Sequence, residues 1–189
     1  MKLIFDFDDT LFDMKNFKER IFAHLEKAGI SRQVSEDTYA NMRADNSPFS
    51  LKQFISSLLD LQAAETPGPD FLYNEILQES PAYLQTALCD VVKKAGSSNC
   101  YIVTNGDAQY QRDKIKKSGA EHLFSEIYVT PGSKKDIIAG ICDRNRNDRI
   151  IFIDNKIEFI QDLDMKKCPN LQTFLYDGNN LSDFIKLIG

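Results

Sequence analysis

The fold is decided by Lys2-Leu3-Ile4-Phe5-Asp6-Phe7-Asp8-Asp9-Thr10-Leu11-Phe12-Asp13, the stretch that opens the chain. Its apolar residues 3–5 predict a short buried strand, which runs directly into three carboxylates within four residues. Like charges this close repel one another, so the cluster needs a compensating cation at the edge of a core. Carboxylate oxygens are hard ligands, and Mg²⁺ is their usual partner where phosphate is also bound.

The alternation of side chains along this stretch supports the same interpretation. In an extended segment Asp6 and Asp8 point to the same side, just past the strand end where open α/β sheets bind their ligands. The alternative is an ordinary polar turn, in which Asp8, Asp9 and Thr10 form the turn and Asp13 caps a following helix. Motifs farther along the chain decide between the two.

Composition and charge exclude several classes of protein. With 189 residues, 42% apolar and 27% charged, the chain has the size and composition of an ordinary soluble globular protein. Its net charge of −5 argues against binding to a nucleic-acid backbone, and no apolar run approaches the roughly 20 residues of a membrane span. A strand followed by acidic residues also differs from a secretory signal. The widely spaced cysteines favour buried thiols in a reducing cytoplasm: Cys89, Cys100, Cys142 and Cys168. We therefore expect a cytoplasmic protein with neither a nucleic-acid nor a membrane partner.

Hydrophobic periodicity divides the rest of the chain into a helical part and an alternating part. Residues 14–92 show helical patterns without a strand signal, interrupted by Thr66-Pro67-Gly68-Pro69. Five helices are predicted in this part, the last of which extends slightly beyond it, at about 14–28, 35–45, 51–59, 70–78 and 81–95. Beyond them, strands at 100–103, 127–129, 150–153 and 173–175 alternate with helices at about 108–118, 134–143, 157–164 and 181–188.

This order of elements predicts an α/β protein with a Rossmann-like parallel sheet and helices on both faces. The helical part falls between the first and second strands and is far too long for a simple crossover. We interpret residues 1–13 and 93–189 as the core domain, and residues 14–92 as an all-helical cap subdomain inserted over the carboxyl edge of the sheet. The alternative is a helical extension packed at the side of the sheet, without a role in catalysis.

Thr104-Asn105-Gly106 follows the second predicted strand and precedes a helix. The Thr104 hydroxyl and free backbone N–H groups at such a position can hold phosphate oxygens. Taken alone, the tripeptide is equally typical of an ordinary turn. The segment Gln111-x-x-Lys114 comes next, on the following helix.

Lys134 breaks a local preference. Ser133-x-x-Asp136 reads as a capping box that places Lys134 at the first position of a helix, where the dipole disfavours a cation. We therefore expect a carboxylate or a phosphate near Lys134. The alternative is a solvated pair formed by Lys134 and Lys135.

Asp154 and Asn155 follow the strand predicted at 150–153. An acid and an amide at a strand end can supply oxygen ligands beside Asp6 and Asp8, although such a pair also caps helices.

Asp6-x-Asp8-x-Thr10-Leu11 after an apolar strand resembles the first motif of the haloacid dehalogenase-like (HAD) hydrolase superfamily, in its phosphatase type with an inserted α-helical cap. Thr104 and Lys134 are similar to the residues of its second and third motifs. Gln111-x-x-Lys114 and the stretch from Gly119 to Ile127 look like the family's segment after the second motif. Asp154-Asn155 is similar to the fourth motif, which usually reads Asp-Asp or Gly-Asp. The resemblance extends over the whole chain, with the cap in the expected place.

The resemblance implies a role for each matching residue. Asp6 is the nucleophile, and Asp8 is the general acid and base. Lys134 holds the nucleophile and the substrate phosphate together. The implied substrate-binding residues are Asp9, Thr10, Thr104, Asn105, Gly106 and Lys134. The implied Mg²⁺ ligands are the Asp6 carboxylate, the Asp8 backbone carbonyl, Asn155, and Asp154 either directly, through water, or only as partner of Lys134. Asn155 departs from the commoner Asp and contributes no charge, and Glu158 is a weaker candidate.

From these motifs we expect a Mg²⁺-dependent phosphatase that acts on a small phosphorylated metabolite through an aspartyl-phosphate, as a monomer or homodimer. A phosphomutase and a catalytically weak phosphometabolite-binding protein are the alternatives. Dehalogenation is disfavoured because it needs no acid at Asp8. Arg20, Tyr39 and Arg43 of the cap can touch the substrate, although arginines on helices are more often solvated.

Overall fold

A computed structural model describes residues 1–44, 47–61 and 68–189 of the protein. Its centre is a five-stranded parallel sheet in the order β3-β2-β1-β4-β5. The strands are β1 Lys2–Phe5, β2 Cys100–Asn105, β3 Glu126–Thr130, β4 Ile150–Asp154 and β5 Leu171–Leu175. The α-helices are α1 Met14–Lys27, α2 Arg32–Arg43, α3 Leu51–Asp60, α4 Pro69–Gln78, α5 Thr86–Ala95, α6 Ala108–Ser118, α7 Lys135–Arg144, α8 Ile157–Gln161 and α9 Leu181–Ile188. The predicted α/β class and parallel sheet are confirmed.

Strand β1 lies in the middle of the sheet, and its register fixes the position of the site. Phe5 pairs with Ile102 of β2 on one side and with Ile153 of β4 on the other. All strands run parallel, so their carboxyl ends share one edge. The polar residues that follow β1, β2 and β4 are thereby brought together.

Both faces of the sheet are buried, as the alternation of side chains in β1 requires. Leu3 and Phe5 belong to one apolar cluster, which also contains Phe184 of α9. Ile4 faces the opposite way and packs in a second cluster with Ile138 of α7. Helices therefore cover both faces, and the short apolar runs of β1 and β4 are explained by burial on two sides.

The stretch predicted as one helix at 81–95 is divided in the structure. A short 3₁₀ helix covers Ser80–Tyr83, Leu84 is extended with ψ 135°, and only then does α5 begin. The reason is a pairing with the beginning of the chain, because Leu84 forms an antiparallel bridge with Phe12. The prediction of a single helix was wrong because backbone pairing overrides the helical pattern there.

This pairing joins the two ends of the helical part, which we call the helical block: α1 to α4 with the 3₁₀ helix Ser80–Tyr83. The N–H of Asp13 donates to the carbonyl of Tyr83, and the N–H of Gln85 donates to the carbonyl of Leu11, each at 2.8 Å. The block thus leaves and rejoins the core at neighbouring points. The exact division at residues 13 and 93 stays a prediction.

Other boundaries differ in smaller ways. Helix α2 is earlier than the predicted 35–45, and α8 is shorter than the predicted 157–164. Of the predicted break, Thr66 and Pro67 lie outside the described residues, while Gly68 caps α4 and Pro69 begins it, as proline at a first helical position favours. Among the described residues, no helix combines the length and apolar character needed to cross a membrane. Cytoplasmic localisation stays a prediction.

An ionic cluster holds the helical block together between α1 and the end of α4. The guanidinium of Arg20 binds Glu79 through Nε and, at 2.6 Å, through Nη2, and His24 Nε2 lies 2.9 Å from the same carboxylate. The hydrogen bonds from Arg20, and then those from His24, lower the pKa of Glu79 to about 2 despite partial burial. Arg20 is therefore engaged within the block, and its contact with the substrate stays a prediction.

Glu79→Gln should lower the stability of the protein at neutral pH but not at strongly acid pH. Because the pKa of Glu79 is lowered in the folded state, its contribution is present above the ordinary glutamate pKa and is lost as pH falls toward 2. We expect the wild type to melt at a higher temperature than Glu79→Gln at pH 7, with the gap closing between about pH 4.5 and pH 2, as followed by circular dichroism. Asp90→Asn, which removes an exposed ion pair with Lys93, is the control and should show no such gap. A gap for Glu79→Gln that stays constant with pH would contradict the assignment.

Candidate active site

Asp6 lies immediately beyond β1 and is almost completely buried, with 5% of its surface exposed. Its backbone N–H continues the sheet by donating to the carbonyl of Ile153 at 2.8 Å. Its Oδ1 accepts a hydrogen bond from Lys134 Nζ at 2.6 Å, and its Oδ2 accepts a long one from Thr10 at 3.4 Å. One carboxylate oxygen is thus firmly held, while the other is only weakly engaged.

Lys134 also binds Asp154, so one ammonium group joins two carboxylates. Its Nζ donates to Asp154 Oδ2 at 2.7 Å, and all three side chains are buried. Asp154 is in turn fixed by the N–H of Lys156, which donates to its Oδ1 at 2.8 Å. The sequence predicted a carboxylate or a phosphate near Lys134, and the structure places two carboxylates there.

Burial and charge set the electrostatics of this cluster. Burial raises the pKa of Asp6 to about 6; Lys134 opposes the shift, and the charge of Asp154 adds to it. Burial disfavours the charged form of Lys134, but Asp6 and Asp154 together outweigh it and raise the lysine pKa. Two buried carboxylates against one ammonium leave an excess of negative charge, which a bound cation would neutralise.

Two buried side-chain atoms at the carboxyl ends of β2 and β4 have no hydrogen-bond partner among the described residues. They are Oγ1 of Thr104, in β2, and Oδ1 of Asn155, directly after β4. A buried polar atom without a partner costs roughly 1–3 kcal/mol, so each such atom needs an explanation. A phosphate oxygen at Thr104 and a cation at Asn155 would each provide the missing partner.

The donor atoms present fit Mg²⁺ as a mixed oxygen set. Within the described ranges, no three side chains of His, Cys, Asp or Glu are grouped so as to hold a metal ion. The predicted set does not depend on such a group, because it combines Asp6, the amide oxygen of Asn155 and the backbone carbonyl of Asp8. The unpartnered Asn155 Oδ1 supports this set. Asp154 is engaged by Lys134 and the N–H of Lys156, which favours its role as a partner of the lysine.

The Asp8 side chain is turned toward helix α6 and away from this set. Its Oδ1 accepts a hydrogen bond from Lys114 Nζ at 2.5 Å, and its Oδ2 accepts one from Gln111 Nε2 at 2.7 Å. In the sequence, Gln111 and Lys114 were distinguished only by their resemblance to the segment that follows the second motif, and no contact with Asp8 was predicted for them. Their spacing places both on one face of α6.

The predicted substrate-binding residues are engaged in different ways. Asp9 adopts a left-handed conformation with φ 58°, and its carboxylate accepts a hydrogen bond from the N–H of Lys15. Asn105 donates to the carbonyl of Gly132 at 2.8 Å, which ties the end of β2 to the loop before α7. The N–H of Gly106 donates to the carbonyl of Thr130, so the free N–H expected at Gly106 is not observed.

Residues of the helical block line a cleft of about 330 Å³ together with Asp8 and Gln111. The block contributes Tyr39, Arg43 and Phe49 to this cleft. The block thus lines a cleft at the candidate site, and its role as a cap stays a prediction. Arg43 forms no ion pair with any residue that the structure describes.

The start of helix α7 differs from the prediction. Lys134 is the residue before the helix rather than its first residue, and the Ser133 hydroxyl accepts a hydrogen bond from the N–H of Lys135 at 3.1 Å instead of bonding Asp136. The capping-box prediction was therefore wrong, because the helix begins one residue later than predicted and Lys134, not Ser133, occupies the capping position. Lys134 is still favoured over Lys135 as the lysine of the site, since Lys134 is buried while Lys135 is exposed. Glu158 is also exposed, in the first turn of α8.

Lys134→Met should destabilise the protein strongly, because it leaves the carboxylates of Asp6 and Asp154 buried together without a cation. Removing one partner of a buried ion pair costs roughly 3–5 kcal/mol. Urea unfolding at neutral pH should show a loss of this size for Lys134→Met. Lys135→Met is the matched control, and its free energy of unfolding should change by less than about 0.5 kcal/mol. Equal losses in the two variants would contradict the special position of Lys134.

Comparison with known proteins agrees with this geometry. A sequence profile of the haloacid dehalogenase-like hydrolase family matches residues 3–137, while no curated protein matches the chain in sequence. The fold is similar to that of a protein from Burkholderia xenovorans LB400 assigned as a haloacid dehalogenase-like hydrolase. The TM-score is 0.72 and the identity 15%, over 96% of this chain and 86% of that one.

Two further solved structures share the fold at low sequence identity. One is the HAD-hydrolase YfnB from Bacillus subtilis bound to magnesium, with a TM-score of 0.53 and 16% identity over 94% of this chain and 87% of that one. The other was assigned as a β-phosphoglucomutase from Thermotoga maritima, with a TM-score of 0.56 and 12% identity over 97% and 91% of the respective chains. Since the family profile covers more than half of the sequence and includes Asp6, Asp8, Thr104 and Lys134, the chain belongs to the haloacid dehalogenase-like hydrolase family.

Proposed function

We propose that this protein is a Mg²⁺-dependent phosphatase that hydrolyses a small phosphomonoester through an aspartyl-phosphate on Asp6. The observation that carries the proposal is the buried cluster in which Lys134 joins Asp6 to Asp154. Such a cluster holds a nucleophilic carboxylate in one orientation, beside a cation that also attracts the phosphate.

In the first half of the reaction Asp6 attacks phosphorus in line with the leaving oxygen. Its Oδ2 is the less engaged oxygen, since Oδ1 is held at 2.6 Å by Lys134. The Thr104 hydroxyl and the ammonium of Lys134 hold phosphate oxygens. Asp8 lines the cleft and donates a proton to the leaving group.

In the second half Asp8 takes a proton from the attacking water, and the Asp6–phosphate bond is broken. When bound by Asp6, Asn155 and the Asp8 carbonyl, Mg²⁺ supplies positive charge that stabilises the equatorial phosphate oxygens. The related fold of the Bacillus subtilis protein, which is bound to magnesium, supports this choice of ion. The cleft of about 330 Å³, which is lined in part by Tyr39, Arg43 and Phe49, favours a small metabolite as substrate.

Asp6→Asn should abolish turnover, because an amide cannot form the phosphoenzyme. With Mg²⁺ and an aryl phosphate, the wild type should release phosphate and should lose activity in EDTA, while Asp6→Asn should show neither turnover nor labelling by a phosphate donor. Asp90→Asn, an exposed carboxylate on α5, is the control and should behave as wild type. Normal activity of Asp6→Asn would rule out this mechanism. Turnover only when an acceptor sugar is present would favour a phosphomutase instead.

Asn155→Asp should strengthen Mg²⁺ binding, because a carboxylate adds the charge that the amide lacks. We expect the Mg²⁺ concentration for half-maximal activity to fall several-fold. The rise in melting temperature on adding Mg²⁺ should be larger than in the wild type. Asn155→Leu should lose most of the Mg²⁺-induced rise. If Mg²⁺ raises the melting temperature equally in the wild type and both variants, Asn155 is not a ligand.

A further inference from the structure

Helix α6 supplies two side chains that together occupy both carboxylate oxygens of Asp8. Lys114 Nζ lies 2.5 Å from Oδ1, and Gln111 Nε2 lies 2.7 Å from Oδ2. The two residues are more than 100 positions away from Asp8 in the sequence and are one helical turn apart on α6. We call Lys114 and Gln111 the α6 clamp.

Lys114 is fully buried, and its surroundings are mainly aromatic rings and a thioether. Its ammonium lies 4.6 Å from the ring centre of Tyr110 and 5.4 Å from that of Phe12, and Met14 Sδ is 3.6 Å away. Among the described residues, Asp8 is the only carboxylate within ion-pair distance of it. Burying a lysine is costly, and aromatic rings compensate for only part of that cost. The ion pair with Asp8 therefore best explains why the ammonium group of Lys114 is buried here.

Gln111 connects Asp8 to the end of β2. Its Nε2 also donates to the carbonyl of Asn105 at 3.1 Å, so the amide bridges the loop after β1 and the loop after β2. Gly106 makes room for this bridge, because a Cβ there would lie 2.8 Å from Gln111 Nε2. Its φ of 152° also falls in the range that favours glycine.

We propose that Lys114 and Gln111 are positioning residues, which hold Asp8 at the cleft for its two proton transfers and affect catalysis through Asp8 alone. The proposal rests on the proposed function, in which Asp8 is the general acid and base. The clamp stands on α6, which belongs to the core. Both side chains that bind the Asp8 carboxylate therefore come from the core, while the helical block contributes a contact of Met14 with Lys114.

A double-mutant cycle on the full-length protein tests this proposal. The variants are Lys114→Met, Asp8→Asn and the double variant, assayed with Mg²⁺ and an aryl phosphate at saturating and limiting concentrations. Methionine fills the aromatic surroundings with an unbranched side chain of similar length. General acid–base catalysis contributes about 10²- to 10⁴-fold, so a misplaced Asp8 should lower kcat by about tenfold with KM changed less than about twofold. In the Asp8→Asn background, Lys114→Met should change kcat by less than about twofold.

The cycle separates failure of the clamp from failure of the proposed function. An equal loss from Lys114→Met in both backgrounds would overturn the clamp, because the lysine would then act independently of Asp8, while the role of Asp8 would stand. Full activity of Asp8→Asn would overturn the proposed function itself. Unfolding in urea gives the folded fraction of each variant, to which kcat is normalised.

A second variant displaces Gln111 of the α6 clamp without removing a charge. Gly106→Ala should push Gln111 away from Asp8 and lower kcat several-fold, and this loss should also vanish in the Asp8→Asn background. Gly140→Ala is the matched control, because its Cβ would meet no atom closer than 3.8 Å and lies within α7, where alanine favours the helix. Its kcat should equal that of the wild type. Unchanged kcat in both Gly106→Ala and correctly folded Lys114→Met would overturn the proposal.

Discussion

The buried contact of Lys134 with Asp6 and Asp154 is the constraint on which the rest of the site depends. It joins the end of β1, the end of β4 and the residue just before α7. These three points are far apart in sequence, and the parallel sheet brings them to one edge. Lys134 is the member that the contact cannot lose, because its removal leaves two carboxylates buried without a cation, whereas removal of Asp6 or Asp154 leaves one ion pair. Stability and the orientation of Asp6 therefore both depend on Lys134.

The second carboxylate of the first motif is held by a different part of the core. Asp6 is fixed by the loop before α7, whereas Asp8 is fixed by α6. Two carboxylates only two residues apart thus have separate cations and separate environments. This separation suits the two tasks in the proposed mechanism, attack on phosphorus and proton transfer, because each group keeps its own charge partner.

The sequence predicted those parts of the site that depend on local patterns at strand ends. Asp6, Thr104 and Asp154 each follow or end an apolar strand, and parallel pairing alone brings them together. Helix α6 was predicted with correct ends, since Asp107 caps it and Gly119 adopts the left-handed conformation that ends it. The Asp8 contacts with α6 could not be predicted, because they depend on side-chain positions more than 100 residues apart. Leu84 was misassigned for a related reason, since its extended backbone is explained only by Phe12.

The paired backbone at the two ends of the helical block has a consequence for evolution. Since Asp13 and Tyr83 are hydrogen-bonded neighbours, everything between them can change in length or composition while the sheet and its reactive edge stay intact. Selectivity for new compounds can then arise by exchange of one contiguous module, without renewed selection on the chemical machinery beneath it.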